Sequence, residues 1–282
     1  MGGNGKTADG IFYSAGPAGA FFAVIIACEL GMLVSKKTKV DILVTPVVTL
    51  LVGFGASFAL CPLVSYIMYY LGVFIATATT FAPLFMGIVV SVVVGIVLTL
   101  PISSAAICAM IFSPAAVAAA EVTGTKEGLL LAGGAAVAGC CAQMVGFAVM
   151  SFRENRWGGL VAQGVGTSML QMGNIVKNPR IWIPAIVTSA ITGPIATCIF
   201  KLQMNGAAVS SGMGTCGLVG QIGVYTGWIS DIEAGLRGPI TAFDWTGLIL
   251  ICFVLPAILC PIFTMILKKM GWIKEGDLKL AD

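Results

Sequence analysis

Two short strings in the second half of the chain carry residue types that could handle a small polar ligand. Gly164-Val165-Gly166-Thr167-Ser168-Met169-Leu170-Gln171 and, 48 residues later, Gly212-Met213-Gly214-Thr215-Cys216-Gly217-Leu218 both read G-x-G-T-x-x-L. Glycine lets a backbone approach a ligand or a neighbouring backbone closely, while Thr167, Ser168, Gln171, Thr215 and Gln221 supply neutral donors and acceptors. Gln143 and Gln163 add amides in apolar surroundings. Ser103 and Ser104 follow Pro101, which frees backbone groups for bonding. Glu154 and Asn155, between Arg153 and Arg156, could reach the same site. The expected solute-binding set is therefore Ser103, Ser104, Gln143, Glu154, Asn155, Gln163, Gly164, Gly166, Thr167, Ser168, Gln171, Gly212, Gly214, Thr215 and Gln221. Such neutral groups suit a sugar or polyol better than a strongly charged ligand. The competing readings are close helix packing for the glycines, a solvated turn for Glu154 and Asn155, and hydroxyls bonding back to their own helix for the serines.

Other chemistries are excluded. The chain has no histidine, which removes a Ser-His-Asp triad, a phosphohistidine, a His-ligated haem and an HExxH zinc site. Nine cysteines fall mostly inside apolar runs with no CxxC pair, so reduced, buried thiols are expected and no metal site or cofactor. The formal GxGxxG at Gly212, Gly214 and Gly217 has no preceding strand and no acidic residue of a βαβ unit, and Gly5-Lys6-Thr7 only imitates the end of a phosphate-binding loop. A net charge of +3 with dispersed basic residues gives no reason to expect nucleic acid.

The elements that must hold these strings are set by where charge is missing. Hydrophobic residues make up 58% and charged residues 10%, with a mean hydropathy of +1.02, which is the composition of a polytopic membrane protein. From 42 to 120, 79 positions carry no charge, enough for three or four crossings of roughly 20 residues each. Prolines divide that stretch into Ile42 to Leu60, Leu63 to Ala78, Leu84 to Leu100 and Ile102 to Ala120. A first apolar run, Gly10 to Cys28, is closed by Glu29. Gly128 to Met150, Ile181 to Phe200 and Trp245 to Leu267 read as ordinary spans. Trp157 to Val176 and Leu202 to Ser230 are too polar for lipid and read as two glycine-rich re-entrant hairpins. The expected fold is all-α, with about eight to ten transmembrane or broken helices in one domain, 1–282: an N-terminal helical part at 10–120, a part with the two hairpins at 128–267 and a tail at 268–282. Asp231, Glu233 and Arg237 read as an ordinary polar loop.

Lysines give the orientation. Lys36, Lys37 and Lys39 form one cluster and Lys268, Lys269, Lys274 and Lys279 another, so both should face the cytoplasm of an inner (plasma) membrane. The segment 1–10 lacks the pattern of a cleaved signal peptide.

Leu98-Thr99-Leu100-Pro101-Ile102-Ser103-Ser104, Gly139-Cys140-Cys141-Ala142-Gln143-Met144, Ser151 to Asn155, Gly164 to Gln171, Lys177 to Pro184, Gly193-Pro194-Ile195, Gly212 to Gln221 and Gly271 to Asp277 together resemble the phosphotransferase-system EIIC-like membrane proteins of the perfringolysin-regulator type. The resemblance spans almost the whole chain. It implies a sugar-permease-like domain, a homodimer, and separate soluble EIIA and EIIB partners, with no phosphoryl transfer by this chain alone. It also implies a further N-terminal hydrophobic stretch, beside which this chain reads as a short form, and a histidine of glucose-type EIIC proteins that has no counterpart here. Transport of a small polar solute is the leading expectation; a membrane-embedded ligand sensor regulating gene expression is the alternative.

Overall fold

The computed structural model describes residues 4–6, 12–14, 16–37 and 40–280. Thr7 and Lys39 lie outside them. A short antiparallel ribbon pairs Asn4–Lys6 (β1) with Phe12–Ser14 (β2), and the remaining regular structure is helical. The first half comprises α1 (Gly16–Val34), α2 (Asp41–Phe81), α3 (Pro83–Thr99), α4 (Ser104–Ile111), α5 (Pro114–Val122) and α6 (Lys126–Met150). The second half comprises α7 (Phe152–Val161), α8 (Met172–Lys177), α9 (Ile183–Pro194), α10 (Val219–Glu233), α11 (Ala242–Ile249) and α12 (Leu255–Lys269), with 3₁₀ and π turns between them.

Among the described residues, five helical stretches are long and apolar enough to cross a membrane: Asp41–Phe81, Ser104–Val122, Lys126–Met150, Pro179–Ile199 and Ala242–Lys269. Gly19–Val34 and Pro83–Thr99 are apolar but shorter. Three details depart from expectation. Ile42 to Leu60 and Leu63 to Ala78 are one helix, because α2 continues through Pro46 and Pro62. A proline is tolerated in an apolar helix when nearby hydroxyls satisfy backbone groups; here Thr49 donates to the Thr45 and Pro46 carbonyls and Ser65 to the Cys61 carbonyl. Glu29 does not close the first run either. It lies on an exposed face of α1, and the chain turns only at Lys36, which has a positive φ and whose N–H is taken by the Asp41 carboxylate at 2.9 Å. The stretch Ile102 to Ala120 is broken between α4 and α5, where Ser103 and Ser113 each cap a new helix.

At the centre stands α6, buried along almost its whole length. Its composition explains this: Gly133, Gly134, Gly139 and a series of alanines leave no side chain to hold neighbours away. In hydrocarbon, helices gain little hydrophobic drive from meeting one another, so close van der Waals approach and interhelical hydrogen bonds hold them. A Cβ at Gly139 would overlap the Ser91 carbonyl of α3, and one at Gly193 of α9 would overlap the Gly87 carbonyl. The Ser91 hydroxyl donates to the Ser189 carbonyl at 2.7 Å at the same crossing. Beside it, Gln143 is fully buried and serves as a hub: its Oε1 accepts from Trp182 Nε1 at 3.0 Å and from Thr99 at 3.4 Å, and its Nε2 donates to Ser189 at 3.4 Å.

Gly139→Ala is expected to destabilise the detergent-solubilised protein by about 1–3 kcal/mol or more, since the obstructing atoms are backbone. Gly55→Ala, where nothing lies within 4 Å of the added carbon, should be neutral or slightly stabilising. Thermal unfolding of the two variants side by side checks the contrast.

Candidate functional site

The first polar window begins as α7 directly after α6. Its helix is kinked at Arg156, which has a positive φ, opens into a π turn at Ala162–Gly166, re-forms as a 3₁₀ turn at Ser168–Gln171 and ends as α8. The tip packs beside Ala148 of α6, where a Cβ at Gly164 would stand 3.3 Å away. Both arms of this hairpin grip the same partner, the segment that follows α12. Glu154 accepts the Leu278 N–H at 2.9 Å, while Asn155 donates to the Leu278 carbonyl and accepts the Leu280 N–H, each at 2.8 Å. From the other arm, Gln171 donates to the Leu278 carbonyl at 3.0 Å, Asn174 to that of Lys279 and Asn178 to that of Trp272. Lys268 pairs with Glu154 at 3.5 Å. The hairpin thus leaves from and returns to the C-terminal end of α6.

The second window follows the opposite course. Leu202–Ala207 has no regular structure and lies against the N-terminal half of α6: the Met204 N–H reaches the Leu130 carbonyl at 3.0 Å, and the Leu202 carbonyl fills the space left by Gly134. A 3₁₀ turn at Ala208–Gly212 leads to the tip, and α10 returns; the Asn205 amide on the way in bonds the Asp231 carboxylate on the way out. Gly214, Gly217 and Leu218 all have positive φ, so the glycines here meet a backbone demand. A Cβ at Gly214 would also press on Cys140. Hairpin one uses its glycines differently. Neither Gly164 nor Gly166 has a positive φ, and Gly166 is exposed with open space around it, so the matching strings do not have matching conformations.

The two tips meet. Thr215 donates its hydroxyl to the Gly164 carbonyl at 2.6 Å. Ser104 braces hairpin two by donating to the Gly212 carbonyl at 2.7 Å, and Ser168 touches Thr99 at 3.1 Å, which joins hairpin one to the Gln143 hub. Thr167 caps the 3₁₀ turn through the Met169 N–H. Gln163 donates to Ser151 and to the Gly159 carbonyl and accepts from Gln171. Ser103 is exposed and caps α4 by accepting the Ala106 N–H. Gln221 donates to Cys141 Sγ at 3.1 Å, yet its buried Oε1 has no hydrogen-bond partner, and neither does the buried Ser211 hydroxyl. All nine cysteines are free thiols, with Cys28 and Cys198 exposed, unlike the buried majority. Among the described residues no group of three or more metal-ligating side chains gathers.

Sequence reasoning missed two features. The first is the docked segment 272–280, whose own backbone groups are bonded by side chains remote in the chain and so leave no local signature. The second is a cavity of about 590 Å³ at the N-terminal end of α6, lined in part by Asp231 and Arg237. In the sequence alone, Asp231 and Arg237 read as loop charges.

These features define an all-α, polytopic membrane protein with two broken-helix hairpins meeting inside a helical body. The chain matches the family model described as Phosphotransferase system, EIIC over residues 2–280 and belongs to that family. EIIC domains are the membrane permease part of such systems, not the phosphorylating part, and work with soluble EIIA and EIIB proteins. No curated protein and no solved structure matches the chain.

Asn155→Ala removes both side-chain bonds that hold Leu278 and Leu280, each worth about 0.5–1.5 kcal/mol. Limited trypsin digestion followed by mass spectrometry should show cleavage after Lys274 and Lys279 accelerated roughly tenfold, with Gln171→Ala acting in the same direction.

Proposed function

We propose that the protein is a permease for a small neutral polyhydroxylated solute, a sugar or polyol, which passes between the two hairpin tips. The observation that carries this reading is the contact of Thr215 with Gly164, made by segments that enter from opposite ends of α6. Irregular backbone at membrane depth is tolerated only where protein buries it or water lines it, and paired broken segments of opposite direction are the usual construction of a midplane site. The free Oε1 of Gln221 and the free hydroxyl of Ser211 leave hydrogen-bonding capacity close to that junction.

On this reading Gly164, Gly166, Thr167, Ser168, Gly214, Thr215 and Gln221 shape the passage. Ser104 and Gly212 brace hairpin two; Gln143, Glu154, Asn155, Gln163 and Gln171 brace hairpin one. Lys268, Lys269, Lys274 and Lys279 favour a cytoplasmic location for the end of α12, which makes hairpin one re-entrant from the cytoplasm and hairpin two re-entrant from the other side. The homodimer and the exchange with soluble EIIA and EIIB proteins are carried over from the family.

Uptake of radiolabelled hexoses and hexitols into proteoliposomes tests the reading. Thr215→Val keeps the side-chain volume but strands a carbonyl, so maximal uptake should fall about tenfold while thermal unfolding shifts by only a few degrees. A protein that a sugar protects from heat but that takes up none would favour the sensor instead.

A further inference from the structure

We infer that the cavity at the N-terminal end of α6 is where the solute is first captured, and that it selects a free sugar or polyol over the phosphorylated form. The inference rests on the permease reading above. The volume of about 590 Å³ suits a small ligand, and the cavity lies at the end of α6 opposite the docked segment.

Its charges nearly cancel. Four carboxylates, from Glu121, Glu127, Asp231 and Asp244, face three cations, from Lys126, Lys201 and Arg237. Most are already committed: Lys126 pairs with Glu121 at 3.0 Å, Arg237 pairs with Asp244 and lies 5.0 Å above the Trp228 ring, and Asp231 holds Asn205. The lining side chains that keep free hydrogen-bonding capacity, making no bond or ion pair among the described residues, include Lys201, Glu127 and Gln203. An ammonium, a carboxylate and an amide together offer donors and acceptors without a net field, and a hydroxyl, being both donor and acceptor, satisfies all three. A phosphate dianion would instead meet the surplus carboxylate, and like charge disfavours it. The rings of Phe200 and Phe243, stacked 4.8 Å apart, supply the apolar wall expected of such a site.

The backbone also points to a built site. Lys201 has a φ of 45°, a conformation costly for a residue with a Cβ, just after a π turn and at the start of the irregular segment that enters hairpin two. Gln203 belongs to that irregular segment, so a solute held there touches the part of the chain that leads to the Gly214 tip.

The test is equilibrium binding of radiolabelled glucose, fructose and mannitol to the full chain in detergent, with competition by their 6-phosphates. At least one free sugar should bind, its 6-phosphate should compete at least about tenfold more weakly, and salt up to about 0.5 M should change the affinity little, because no ion pair with the ligand is made. Lys201→Gly keeps the backbone conformation accessible, Glu127→Gln keeps the shape, and Gln203→Ala removes the amide. Each should weaken binding about three- to tenfold, while unfolding temperatures stay near that of the unaltered protein. Equal or tighter binding of the 6-phosphates overturns the inference. So does unaltered affinity in all three variants, and in that case uptake through the hairpins still stands as a separate result. A protein that neither binds nor takes up any of the sugars overturns both readings.

Discussion

The contact of bare backbone with bare backbone where α3, α6 and α9 cross is the constraint on which the rest of the molecule depends. Gly139 and Gly193 let the carbonyls of Ser91 and Gly87 come to van der Waals distance, and no side chain other than hydrogen could occupy those points. Closeness there brings Gln143 within reach of Thr99, Trp182 and Ser189 together. Thr99 in turn touches Ser168, so the depth of the first hairpin is set by the same crossing. Gly134 does the equivalent for the second hairpin by admitting the Leu202 carbonyl. Small residues in α6 therefore position polar residues as far apart in the chain as Thr99 and Ser189.

Much of this was legible in the order of residues, and the part that was not has physical reasons. Charge-free runs located α3, α6, α9 and the α11–α12 stretch closely, because burying an ionised group in hydrocarbon is costly wherever it falls. The two polar windows were legible for the complementary reason. Pro62 misled because a proline removes one donor, a local loss that Ser65 and its neighbours tolerate, whereas the apolar surface of α2 continues on both sides. The repeated G-x-G-T string places residues of both tips in one expected set but says nothing of their shapes. Gly214 answers to a positive φ and to Cys140, and Gly166 answers to neither.

The amides of the first window show that residue type alone is silent about partner. Gln163, Gln171 and Asn155 are expected to bond hydroxyls of a solute, and in the structure Gln171 bonds Gln163 while Gln171 and Asn155 bond the backbone of Leu278 to Leu280. A peptide group and a sugar hydroxyl ask the same of an amide: one donor, one acceptor, little charge. Which is present depends on long-range topology. The charged cavity escaped notice for a related reason, since its lining comes from the ends of several helices and the links between them, and no window of sequence contains more than a few of its members.

The unbroken α2 has a mechanical consequence. At about 1.5 Å per residue its 41 residues extend roughly 61 Å, about twice the hydrocarbon thickness of a bilayer, whereas the 25 residues of α6 extend roughly 37 Å. Ile42, Leu50, Phe54 and Phe58 are all exposed along its first half, so none of that length can stand in water without cost. If α6 stands near the membrane normal, α2 must lean steeply or flex at Pro46 or Pro62 to keep its apolar length within the slab. Mismatch costs fractions of a kcal/mol per ångström, and over such a length these add up. The thickness of the surrounding lipid thereby acts as a load on one long lever, and the shape of this protein is a property of the membrane as well as of the chain.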